Sequence, residues 1–118
     1  MLKKVNRLRK KYQFNYIYKN GLHFSSAALV LYLTTSKTKQ IKVGFSVTKK
    51  LGKAVVRNSI RRKLREIVRK YLPNLKQNYN IILVARETVA NYSFEELDKQ
   101  FVELIKKAEI LLEYEENS

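Results

Sequence analysis

The sequence has no cysteine and no tryptophan, a single histidine (His23), a single proline (Pro73) and three glycines. Without cysteine there is no disulfide framework, and with only one histidine there is no ligand set for a structural zinc. The fold must therefore be held by its core. So few glycines and prolines leave no flexible linker, and Gly21, Gly44, Gly52 and Pro73 read as punctuation inside one domain over 1–118. No apolar run approaches the roughly 18 residues of a membrane span. The basic start MLKKVNRLRKKYQF also lacks the apolar stretch of a secretory signal, so a cytoplasmic protein is expected. Acid is scarce in a patterned way. Residues 1–86 hold 22 Lys and Arg against one carboxylate, Glu66, whereas residues 87–118 hold three lysines against nine acids. Metal-assisted phosphodiester cleavage needs several carboxylates to hold magnesium. The basic body cannot supply them, and no catalytic or metal-ligating residue is assigned to this chain.

What remains is positive charge, a formal +15 overall. A basic body of this density repels itself unless a polyanion is near, and a nucleic acid or an anionic membrane is the natural partner. Coarse patterning gives an α+β chain. Residues 1–10 read as a basic arm, and YQFNYIYKNG reads as a short helix stopped by Gly21. A β-rich run from about His23 to Thr35 and the alternating KQIKVGFSVT are expected to form a hairpin through the polar SKTK. A basic helix ended by Pro73 follows, then the buried strand YNIILVAR. The last helix, SFEELDKQFVELIKKAEILLEYE, opens with a capping box of Ser93 and Glu96 and repeats apolar residues through Leu111. The expected order is α-β-β-α-β-α, with helices packed on a small sheet and the carboxylates of the last helix in water.

The basic helix lies within KKLGKAVVRNSIRRKLREIVRK, residues 49–70. At about 100° per residue, Val56, Ile60, Leu64, Ile67 and Tyr71 fall within roughly 80° of one another and form a core stripe. Arg57, Asn58, Arg61, Arg62, Arg65 and Arg69 share a separate arc of roughly 140°. A solvated face normally mixes signs; this one is almost pure arginine, whose planar fork suits bidentate phosphate contact. Lys49, Lys50 and Lys53, around Gly52, extend the surface. Asn58 is open to two roles, as a helix cap or as a contact to base or phosphate. A membrane fits poorly, because the apolar face such binding needs is claimed by the core. Phe14 and Tyr18, one turn apart, and Tyr32 on a strand could form a platform for unpaired bases, with core packing the competing reading. His23, with no second histidine or acid near it, reads as a turn or strand-edge residue.

VGFSVTKKLGKAVVRNSIRRKLRE closely resembles the signature of the bacterial ribonuclease P protein subunit, with its Arg-Asn pair followed by spaced arginines. RLRKKYQFNYIYKNG, LVLY and IILVAR are similar to that family's first helix, first strand and third strand, so the resemblance covers nearly the whole chain. It implies a subunit that joins a catalytic RNA and acts on precursor tRNA, removing the 5′ leader. The chemistry is then expected in the RNA, with Mg2+ held mainly by the RNA subunit and substrate. It also implies a fold like the second domain of ribosomal protein S5, with a left-handed βαβ crossover against the usual rule. By position, Lys49, Lys50, Lys53, Arg57, Asn58, Arg61, Arg62, Arg65 and Arg69 are expected against the catalytic RNA. Phe14, Tyr18 and Tyr32 are expected in the cleft for the single-stranded leader, with Arg9 and Arg86 at its edges. Tyr18, Ser59 and Glu87 stand where the family often has phenylalanine, a basic residue and lysine. No membrane, DNA or protein oligomer is required by this reading. The alternatives are a structural RNA binder such as a ribosomal protein, which would lack the leader cleft, and a sequence-specific DNA binder with the arginine helix in the major groove.

Overall fold

The computed structural model describes residues 6–112, so the first half of the basic arm and the last residues expected in the final helix lie outside it. Helix α1, Lys11–Asn20, begins where Gln13 Oε1 accepts the Lys10 N–H at 3.1 Å and ends at Gly21, whose N–H returns to the Ile17 carbonyl. The strands follow as β1 (Leu22–Ser25), β2 (Leu29–Thr35), β3 (Lys42–Ser46) and β4 (Tyr79–Ala85). Helix α2, Ala54–Tyr71, connects β3 to β4, and α3, Phe94–Lys107, closes the fold.

The sheet order is β1-β2-β4-β3, with β4 antiparallel to β2 and parallel to β3. Helices and sheet segments follow the expected α+β order, with two corrections inside it. The run 23–35 is folded on itself: β1 and β2 form an antiparallel hairpin whose turn is closed by Ser26 N–H to the Leu29 carbonyl, 2.8 Å. The expected pairing of β2 with β3 across Ser36–Lys39 does not occur, because β4 lies between them. A short polar connection permits a hairpin but does not require one. The continuous apolar run Ile81, Ile82, Leu83 needs cover on both faces and neighbours on both edges, which the central position supplies.

The helices divide between the two faces. Strand alternation puts Leu29, Leu31, Leu33, Val43, Ile81 and Leu83 on one face, where Ile60, Leu64, Ile67 and Val68 of α2 and Leu97, Phe101, Leu104 and Ile105 of α3 complete the main core. Each of these buried aliphatic side chains contributes roughly 1.5–3 kcal/mol. On the other face a smaller cluster of Leu8, Ile17 and Ile82 is flanked by Phe14, Tyr32 and Val84, so α1 and the arm residue Leu8 cover that side. Residues 6–8 of the basic arm are docked rather than free. Arg7 bridges Val43 in parallel, the Leu8 N–H donates to the Val43 carbonyl at 2.9 Å, and Asn6 Nδ2 reaches the Ile41 carbonyl at 2.7 Å.

Helix α3 begins as its capping box requires. The Glu96 N–H donates to Ser93 Oγ at 3.1 Å and the Ser93 N–H donates to Glu96 Oε1 at 2.8 Å. It ends at Lys107, short of the expected Leu111, because the chain turns at Glu109 with φ 60°. Leu111 instead forms a β-bridge with Leu75. Not every acid of this helix lies in water. Asp98 is buried, accepts the Tyr71 hydroxyl and pairs with Lys70, tying α3 to α2. That carboxylate holds the Lys70 ammonium above its ordinary pKa. Burial, and then Asp98, push the Tyr71 hydroxyl up as well.

Candidate nucleic-acid interface

Between β3 and α2 the chain makes a 3-10 turn, Lys49–Leu51, and then Gly52 at φ 130°, a conformation L side chains rarely adopt. This brings Lys49, Lys50 and Lys53 to the surface in succession, all exposed, directly before the helix. Lys53 is the cap position of α2, so Asn58 does not cap it. The Asn58 side chain instead accepts Arg61 Nη1 at 2.9 Å and orients that guanidinium.

The arginines of α2 stand in two rows. Arg57, Arg61 and Arg65, each one turn from the next, are half-buried along the side facing β3. Arg57 Nε donates to the Gly52 carbonyl at 3.1 Å, Arg61 Nη2 reaches the Val47 carbonyl at 3.4 Å, and the Arg65 guanidinium lies 6.0 Å from the centre of the Phe45 ring. Arg62 and Arg69 are exposed on the outer row. The two arcs expected to be separate do meet. Val68, within the arginine arc, is fully buried, while Val56, expected in the core stripe, is 43% exposed. Both follow from β3 lying under the arginine side of the helix, which shifts the buried stripe towards that strand. No arginine of this face is buried against a carboxylate of α3 among the described residues. The Arg69 Nη2 atom does pair with Glu66 Oε1 at 3.0 Å, which holds the Glu66 carboxyl below its usual range.

On the opposite face of the sheet the three predicted aromatics come together. Tyr18 meets Tyr32 edge-on with ring centres 4.9 Å apart, and Phe14 lies 6.5 Å from Tyr18. The sheet accepts Phe14 because position 44 is glycine: a β-carbon there would stand 2.5 Å from the Phe14 ring. His23, on the edge strand as expected, adds what its sequence context gave no hint of, a ring 5.3 Å from Tyr32. From this aromatic end, Val30 and Val84 carry the floor along the strands, half-buried and paired with each other. Only the register could have identified these residues, since they follow Tyr32 and Ile82 at period two. Arg86 continues the same row two residues beyond Val84, roughly 13 Å from the level of Ile82, with Nη1 bound to the Ser26 carbonyl at 2.9 Å. Arg9 is exposed just before α1, where its backbone N–H donates to Gln13 Oε1 at 3.3 Å.

Strand β3 joins the two surfaces. Its Gly44 faces Phe14, while its Phe45 and the following Val47 meet Arg65 and Arg61 on the other side. Among the described residues no helix is long and apolar enough to cross a membrane, and no three His, Asp or Glu residues are grouped to hold a metal.

The family described as Ribonuclease P matches residues 2–109. The ribonuclease P protein component of Syntrophomonas wolfei is 36% identical over 108 residues, covering 92% of this chain and 91% of that protein. That of Alkaliphilus oremlandii is 36% identical over 110 residues, covering 93% and 96%. Among solved structures, the Staphylococcus aureus RNase P protein superposes with a TM-score of 0.85 at 29% identity, covering 92% of this chain and 99% of that one. The Thermotoga maritima RNase P protein gives 0.78 at 26% identity, covering 86% and 96%. With its sequence and its fold both matching, this chain belongs to the ribonuclease P protein family.

Proposed function

We propose that this chain is the protein subunit of a ribonuclease P ribonucleoprotein in tRNA 5′ maturation. In this reading Lys49, Lys50, Lys53 and the arginine face of α2 hold the catalytic RNA. The cleft of Phe14, Tyr18 and Tyr32 takes the single-stranded leader of precursor tRNA, with Arg9 and Arg86 at its ends. Magnesium, held by the RNA subunit and substrate, supplies the hydrolytic chemistry. This chain contributes none of it directly: it stacks unpaired bases, neutralises phosphates and fixes the distance between leader and catalytic RNA.

The observation that carries the reading is the back-to-back arrangement on β3. One strand supports the stacking cleft on one face and the guanidinium row on the other, so neither surface can move without the other. Stacking is worth roughly 1–3 kcal/mol per base and is tolerant of sequence, which suits a substrate class with variable leaders. A purely structural RNA binder has no need of such a cleft, and a duplex-DNA reader would show a specificity ratio that this surface is expected to lack.

The test is reconstitution with a bacterial catalytic RNA. The complex should cleave precursor tRNA at low magnesium, and the protein alone should not. The paired substitution Phe14→Ala and Tyr18→Ala should weaken binding of precursor tRNA by tenfold or more while leaving mature tRNA unaffected. Equal affinities for precursor in both proteins would remove the leader from the cleft.

A further inference from the structure

Helix α1 has a second aromatic flank that the cleft does not use. Tyr12 and Tyr16, one turn apart, are 67% and 60% exposed, and their side chains make no hydrogen bond or ring contact with any described residue. A single exposed tyrosine is ordinary. Here two stand on successive turns of one helix, and Leu22, just past its end, is 67% exposed as well. Tyr16 also forms one wall of an open groove of about 290 Å³ with Asn20, Leu22, Thr34, Thr35 and Tyr79. That recess has the volume to take a planar base beside the Tyr16 ring, with hydroxyl and amide groups among its lining residues.

The charge around this flank selects its occupant. At about 100° per residue, Lys11, Asn15 and Lys19 occupy the exposed arc of α1 between Tyr18 on the cleft side and Tyr12 on the other. The helix therefore presents aromatic, lysine ridge, aromatic across its outer surface. No acid occurs on α1, β1 or β2. Where the groove meets the end of α3 at Ala108, Lys106 and Lys107 precede Glu109. Aromatic rings for bases beside ammonium groups for phosphates are the two elements of a single-strand binding surface.

We propose that Tyr12 and Tyr16, with Lys11 and Lys19, form a second stacking surface for unpaired leader nucleotides lying beyond those held in the cleft. A strand leaving the Phe14–Tyr18–Tyr32 cleft crosses the lysine ridge and stacks again on the outer flank. This rests on the leader reading above, and the experiment separates the two. The reconstituted ribonucleoprotein is titrated with precursor tRNAs whose leaders are lengthened one nucleotide at a time. With native protein, affinity should climb with leader length beyond the point where the cleft is filled. With Tyr12→Ala and Tyr16→Ala together it should match native protein on short leaders and fall about tenfold behind on long ones. Tyr12→Phe with Tyr16→Phe keeps the rings and should keep the affinity; loss there would overturn stacking as the cause. Coincident curves for native and double-alanine protein at every length overturn the second surface but leave the cleft standing. No effect of Phe14→Ala with Tyr18→Ala at any length overturns the reading beneath it. Equal weakening towards mature tRNA or catalytic RNA assigns the flank to another partner and overturns the proposal too. The high exposure of both tyrosines should leave the circular-dichroism melt of the variants unchanged.

Discussion

Replacing Glu66 with glutamine should tighten binding to RNA, although it removes a contact inside the protein. Glu66 is the one carboxylate among residues 1–86, and it lies on α2 with its oxygen 3.0 Å from Arg69. Both side chains are about half exposed, 53% and 48%, so water already screens the pair and its loss should leave the fold intact. Arg69 is thereby released to a phosphate. One added phosphate contact should steepen the log-log salt dependence by roughly 0.7 to 0.9, which near 0.1 M salt corresponds to an affinity gain of roughly five- to eightfold. The screening makes that an upper limit. The assay is fluorescence anisotropy with the catalytic RNA across a salt series, for the native protein, Glu66→Gln, Arg69→Ala and the double variant. If Arg69 faces RNA, its removal costs more when Glu66 is absent than when it is present. A gain from Glu66→Gln that persists without Arg69 would reflect only a lost repulsion. No gain at all would mean that the outer row of α2 looks at solvent, and the proposed RNA face would shrink to the half-buried row.

Three other outcomes follow from the same contacts. Gly44→Ala should push the Phe14 ring off the sheet and lower precursor affinity while leaving the salt dependence on catalytic RNA unchanged; a crystal structure with Phe14 unmoved would contradict this. Asp98→Asn should flatten the alkaline limb of stability. Lys70 and Tyr71, ordinarily near 10.5 and 10.0, have raised folded-state values, Lys70 through Asp98 and Tyr71 through burial and then Asp98. Their contribution is therefore complete below those ordinary values and fades as pH rises through the raised ones, and urea melts across that range would show it. Ser93→Ala should cost about 1 kcal/mol in the same melts, since it leaves the Glu96 N–H without its acceptor.

Much of this architecture was legible because its helices are amphipathic with sharp boundaries. Ile60, Leu64 and Ile67 sit where a 3.6-residue period places them, and Ser93 and Glu96 cap α3 as the four-residue motif demands. The strand order was not legible. Whether β2 takes β3 or β4 as its neighbour depends on a segment more than forty residues away, which local alternation cannot report. Leu111 was read into α3 because burial continues past the turn at Glu109, so an apolar rhythm outlasts the helix that generated it. The aromatic cleft lies between these extremes. Phe14 and Tyr18 share a helix face by spacing and Tyr32 sits on a strand able to lie beside them, but their assignment to a leader came through the family resemblance, and the parts of His23, Val30 and Val84 needed the register. Val68 was missed because an arginine-rich arc gave no sign that a neighbouring strand would close over one of its positions.

The central place of β4 has a consequence for how the protein comes into being. Because this strand is the last to be synthesised and the one both its neighbours require, a nascent chain that has released only α1, the β1–β2 hairpin, β3 and α2 has no means of closing its sheet. Until Ala85 emerges from the ribosome, the growing polypeptide is a strongly cationic, half-assembled fragment beside the ribosome's own RNA. The acid-rich residues 87–118, nine carboxylates against three lysines, arrive only afterwards, too late to offset any of that charge during synthesis.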